Sequence, residues 1–177
     1  MPFRVVNETN GIHLRQPGYN GTGRVMARRF KMNSNIRIKS TLINAPFTYA
    51  VEINPAVNSF WMYAVPDEAV FHAQRITVAE ATMIGLDQEG VLLEMESQFQ
   101  KQIDLPKLEL QGAAIMKAFP LLEVQDARYA AVSPMEKGFF TCFVDNIGAV
   151  DQVMIWGNVS FLISDGFLVG IQAKAIN

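Results

Sequence analysis

Apolar and polar residues alternate along much of this chain. Across residues 35–42, Ile36 and Ile38 fall on one side, and Arg37 and Lys39 on the other. Residues 47–53 alternate more cleanly, with Phe47, Tyr49, Val51 and Ile53 set against Thr48, Ala50 and Glu52. A period of two sends successive side chains to opposite faces of a strand, so both segments predict strands with one apolar face. Ser59–Val65 reads SFWMYAV, a continuous aromatic-rich run that predicts a strand covered on both faces. Asn54-Pro55 supplies the turn between these last two.

Two hairpins follow from the turn residues. Residues 77–86 and 91–99 flank Asp87-Gln88-Glu89-Gly90, a loop ending in glycine. In the second strand Val91, Leu93 and Met95 face one way, and Glu94, Glu96 and Gln98 the other. Residues 153–163 and 167–176 flank Ser164-Asp165-Gly166 in the same manner.

Helical spacing recurs in two places. Asp104 is a capping residue, Pro106 fits a first turn, and Leu108, Gly112, Ile115 and Phe119 repeat at helical intervals before Pro120. Residues 66–75 carry Asp67 and Glu68 early and Arg75 late, which suits the helix dipole. The expected fold is therefore mainly β, an antiparallel barrel or sandwich with one or two short helices. Residues 1–23 contain Asn10-Gly11 and the loop-forming run from Pro17 to Gly23. They predict an irregular N-terminal arm in front of a single β-rich domain over residues 24–177.

Charge is distributed very unevenly along the chain. Residues 1–51 hold eight basic residues against the single acid Glu8, a net +7, whereas residues 52–177 hold seven basic and sixteen acidic residues, a net −9. The overall net charge of −2 conceals this split. A basic, glycine-containing front on an acidic body predicts a segment that docks on something negative. Arg15, Arg24, Arg28, Arg29, Lys31, Arg37 and Lys39 are the candidate contact residues, toward either another subunit or nucleic acid. Phe30 and Tyr19 lie among them and suit stacking on bases. The plainer alternative is a solvated strand face.

Composition adds a weaker hint. Half of the 177 residues are apolar and only 18% are charged, with nine methionines and twelve phenylalanines. Surplus apolar surface commonly ends in subunit contacts. Residues 1–10 show no apolar leader, which predicts a location inside the cell or within an assembled particle. The most apolar stretch, residues 153–171, is interrupted by Asn158, Ser160, Ser164 and Asp165, so no membrane span is expected.

Candidate chemistry is sparse. Cys142 is the sole cysteine, lies between aromatic residues, and is far in sequence from His13 and His72. A nucleophile needs a base within reach, so an inert core thiol is expected. Glu68 and His72 share a helical spacing but are too few for a metal site. Asp87 with Glu89, and Glu94 with Glu96, lack calcium-loop spacing and read as a loop and a solvated strand face. The glycine-rich residues 18–23 lack the strand, helix and lysine of a phosphate loop. No cofactor is therefore expected. The aromatic set Phe47, Tyr49, Phe60, Trp61, Tyr63, Trp156 and Phe161 is either core or the lining of an apolar pocket.

Together these readings predict a non-enzymatic, self-assembling structural protein, a homo-oligomer of the shell, tube or virion kind that uses its basic front for subunit or nucleic-acid contact. The alternative is a small-molecule-binding β-barrel or sensory domain.

Overall fold

The computed structural model describes residues 35–65, 74–78, 81–98, 110, 112–125, 129–144 and 149–175. These residues form thirteen strands in two curled sheets that make a half-barrel. The smaller sheet holds β2 (Thr48–Asn54), β3 (Ser59–Val65), β4 (Gln74–Val78), β5 (Thr82–Leu86) and β6 (Leu92–Gln98). They lie in the order β2-β3-β6-β5-β4, every pair antiparallel. The larger sheet holds β1 (Ile36–Leu42), β7 (Ala114–Met116), β8 (Phe119–Val124), β9 (Ala131–Met135), β10 (Gly138–Cys142), β11 (Gln152–Trp156), β12 (Val159–Ser164) and β13 (Phe167–Lys174). Its main path runs β7-β11-β12-β13-β1-β8, and β10 leaves β13 to pair with β9. Only the short β7–β11 pair in this sheet is parallel.

The main core lies between the sheets. Tyr49, Phe60, Met62, Ile84 and Met95 come from the smaller sheet, and Phe119, Phe139, Phe161 and Ile171 from the larger. Two hydrogen bonds stitch the layers where strands alone do not. Leu122 in β8 donates its N–H to the carbonyl of Gly90 in the β5–β6 loop, at 2.7 Å. Trp156 in β11 donates its indole N–H to the carbonyl of Phe47, at 2.8 Å. A second cluster of Cys142, Val144, Val150, Val153, Leu162 and Val169 lies on the opposite face of the larger sheet. That sheet buries residues on both faces, and this explains why its strands read as unbroken apolar runs.

Several expectations are corrected. The segment carrying Gly112, Ile115 and Phe119 is not helical. Ala114–Met116 pairs with β11, and Phe119–Val124 pairs with β1, with Phe119 opposite Leu42. Ladder hydrogen bonds to those neighbours win over a helical spacing of four residues, a weak signal at that number. Pro120 is tolerated within β8 because that strand ends the sheet path, where a missing N–H costs no ladder bond. The start of this expected helix, residues 104–109, lies outside the described residues. So do residues 66–73 of the other candidate, and its remaining Arg75 belongs to β4, opposite Gly85. Ser59–Val65 is covered on one face only: Phe60, Met62 and Ala64 are buried, while Trp61 and Val65 are exposed. The expected arm, residues 1–23, also lies outside the described residues.

The hairpins stand with shifted boundaries. Residues 77–86 divide between β4 and β5, which pair with each other. Residues 153–163 divide into β11 and β12 at Gly157-Asn158, where Gly157 takes a φ of 57°. Glycine at the first central position is what a two-residue hairpin turn of this hand requires.

Tyr49 yields a pH prediction. It is fully buried, and its hydroxyl donates to the carbonyl of Leu92. Burial, and secondarily the charge of Asp87, push its phenol well above the ordinary tyrosine range. Below about pH 10 the phenol is neutral in the folded and unfolded chain alike, and its stabilising contribution is complete. Above that pH the unfolded chain ionises while the folded one holds its proton, so stability falls as pH rises. Tyr49→Phe should cost about 1 kcal/mol at neutral pH through the lost hydrogen bond. It should also make the alkaline decline shallower in urea melts at about pH 7 and pH 11.

Candidate functional site

The outer face of the smaller sheet, turned away from the core, carries the most distinctive side chains. Strand alternation puts Trp61 and Tyr63 there, because Phe60, Met62 and Ala64 take the inner positions. Register then fixes their neighbours. Trp61 lies opposite Glu52 on β2 and Glu96 on β6, and Tyr63 opposite Ala50 and Glu94. The Trp61 and Tyr63 rings sit 4.4 Å apart between centroids, tilted by 36°. Trp61 is 42% exposed, so part of its ring is open to solvent.

The carboxylates are held differently. Tyr63 donates its hydroxyl to Glu52 Oε1 at 2.7 Å, which fixes that side chain beside the rings. Glu94 is buried, not solvated as its alternation with Glu96 predicted, and its charge is met by Arg75 Nη2 at 3.0 Å. Gly85 stands between them in the cross-strand row, and its missing side chain leaves the guanidinium a path from β4 across β5 to β6. Glu96 is exposed. Together with Glu52 and Trp61 it lines a cleft of about 520 Å³ that also takes in Ile53, Asn54, Pro55, Ser59 and Phe60. The described residues of this sheet and its loops carry five acids, Glu52, Asp87, Glu89, Glu94 and Glu96, against the single base Arg75, a net −4. Those of the larger sheet and its loops carry five bases against four acids, a net +1. The negative charge of the described body is thus concentrated on one sheet.

A second cleft, of about 360 Å³, lies where β1 meets the β12–β13 turn, lined by Asn35, Arg37, Ile38, Gln125, Asp165, Gly166 and Phe167. Here Arg37 is exposed, opposite Glu123 and Phe167 on its neighbours. Lys39 is exposed at the point where the β1–β8 register shifts. Of the predicted basic set, Arg15, Arg24, Arg28, Arg29 and Lys31 lie outside the described residues.

The predicted aromatic set divides into three. Phe47, Tyr49, Trp156 and Phe161 converge on Phe119, with centroids 5.1–6.4 Å from its ring. Phe60 stacks on Phe139. Trp61 and Tyr63 stand on the other side of the sheet. Five of the seven therefore fill the core, and two make a surface platform. Sequence reasoning did not separate them, because an unbroken apolar run hides which face is wet. The available signal was the two acids, Glu94 and Glu96, on one face of the neighbouring β6.

Other sequence candidates are occupied structurally. The Cys142 thiol is buried and donates to the carbonyl of Val144. Asp87 Oδ1 accepts the backbone N–H groups of Glu89, Gly90 and Val91 at 2.8–2.9 Å, so it shapes its loop. Glu68, His13, His72 and residues 18–23 lie outside the described residues. Among the described residues no group of three or more His, Cys, Asp or Glu side chains is placed to hold a metal, and no helix is long and apolar enough to cross a membrane.

The outer face suits a cation. Ring faces attract a guanidinium or ammonium, and flanking carboxylates accept its N–H groups. Neither a protein-family model, nor a curated protein, nor a solved structure matches the chain.

Proposed function

We propose that this chain is a non-enzymatic, self-assembling structural protein whose basic front contacts neighbouring subunits. The observation that carries this reading is the charge split, +7 over residues 1–51 against −9 over the remainder. Opposite charges at two different places on one chain favour a head-to-tail contact, and repetition of such a contact builds rings or filaments. The concentration of described acids on one sheet supports the same reading, since a focused negative face steers a basic partner better than scattered charge does.

The reading is tested by native mass from light scattering, at low salt and at about 1 M salt, where screening reduces the reach of charge to about 3 Å. A large species at low salt that dissociates at high salt is expected. A monomer under both conditions overturns the reading. Replacing Arg15, Arg24, Arg28, Arg29 and Lys31 by glutamine should abolish assembly at low salt while leaving the far-ultraviolet dichroism intact. Undiminished assembly of that variant would also overturn it. Absorbance at the nucleic-acid wavelength, read on the same samples, reports whether the basic front carries a bound polymer as well.

A further inference from the structure

We propose that the outer face of the smaller sheet, centred on Trp61, Tyr63, Glu52 and Glu96, is where residues 24–31 of a neighbouring copy dock. This rests on the self-assembly reading above and gives it a place on the molecule.

Three observations carry it. The first is charge, because the described residues of this sheet hold a net −4 while those of the larger sheet hold +1. A segment bearing Arg24, Arg28, Arg29 and Lys31 without an acid is drawn to the former. The second is the exposed indole. Trp61 is 42% exposed and stands between two carboxylates, Glu52 and Glu96, in the cross-strand row. A guanidinium satisfies both features at once, its plane on the ring and its N–H fork on a carboxylate. Glu52 is already held for this by the Tyr63 hydroxyl. The third is that the face seats one guanidinium of its own, since Arg75 reaches across Gly85 to Glu94. Among the described residues, no base stands in the row of Glu52, Trp61 and Glu96, where a cation can arrive.

The test uses the full-length chain at low salt, with self-association followed by light scattering. The face variants are Trp61→Ala and Glu96→Lys, and the segment variant is Arg28→Glu with Arg29→Glu. Each is expected to weaken self-association about tenfold or more, with thermal melts like that of the unaltered chain. Glu96→Gln should give a smaller loss in the same direction, and it stands in if Glu96→Lys unfolds. The decisive sample is an equimolar mixture of Glu96→Lys with the segment variant. Each then offers the other a complementary pair, and assembly should return.

Unaltered assembly of both face variants, beside an assembling parent chain, overturns the docking site and leaves the self-assembly reading standing. A parent chain that is monomeric at low salt fails that reading itself. Recovery when all the changes are placed in one chain, without recovery in the mixture, means that the segment docks on its own body, and that overturns the proposal. So does loss of bound nucleic acid in the segment variant with the face variants unaffected.

Discussion

Truncating Phe119 to alanine is expected to lower the folding free energy by about 3–5 kcal/mol. Phe119 is fully buried at the start of β8, and four rings surround it. Phe47 lies at 5.1 Å and Phe161 at 5.3 Å, both edge-to-face, with Tyr49 at 6.2 Å and Trp156 at 6.4 Å. Those neighbours come from β2 and the residue before it, from β11 and from β12, so the ring sits where both sheets meet. The loss exceeds simple transfer of a side chain for two reasons. Edge-to-face pairs contribute about 0.5–1.5 kcal/mol beyond their buried area, though not additively. The neighbours are also held by strand ladders and by the Trp156 to Phe47 hydrogen bond, so the vacated space cannot close. Urea melts of Phe119→Ala and Phe119→Leu measure this. Leucine should recover more than half of the loss, since it refills most of the volume. A loss below about 1.5 kcal/mol for alanine would mean that the ring cluster does not close the space between the sheets.

The same cluster shows how far the sequence could be read. In β1 and β2, where the outward positions are polar, alternation was legible: Ile36 against Arg37, and Tyr49 against Thr48, point as the pattern requires. Turn chemistry was legible too, since Asp87 through Gly90 and Asp165-Gly166 both close hairpins. Legibility ended where a strand is buried on both faces. Residues 153–163 carry no period, because Met154 and Phe161 serve the inner core while Val153 and Leu162 serve the outer cluster. The turn at Gly157-Asn158 was lost inside that run. Ile115 and Phe119 fell four residues apart by coincidence, and only long-range pairing with β11 and β1 shows that they are strand. Trp61 and Tyr63 posed the converse problem. Their run looked doubly buried, and its wet face is visible only once β2 and β6 set Glu52, Glu94 and Glu96 beside it. Local pattern thus conveys the period of an element, whereas cross-strand register, on which the candidate site depends, is set by partners far away in sequence.

Gly90→Ala is expected to destabilise the fold by about 3 kcal/mol or more, through a backbone contact that no single strand reveals. Gly90 closes the β5–β6 hairpin at φ 96°, on the positive side that costs an alanine about 1–2 kcal/mol by itself. The larger cost is steric. A β-carbon at this position would overlap the carbonyl oxygen of Leu122, which belongs to the backbone of β8 and has no rotamer by which to move aside. Relief requires the loop to withdraw from β8. Withdrawal breaks the 2.7 Å bond from the Leu122 N–H to the Gly90 carbonyl and strains the turn that Asp87 holds through three backbone N–H groups. Gly157→Ala separates the two contributions. Gly157 also has positive φ, at 57°, but a β-carbon there would meet nothing within 4 Å. It should therefore lose only the conformational part, about 1–2 kcal/mol. Equal losses for the two variants in denaturant melts would show that close approach of the loop to β8 is not what holds the sheets together. A much larger loss at Gly90 places the seam between the sheets at this loop, and the half-barrel then depends on a glycine that lies outside every strand.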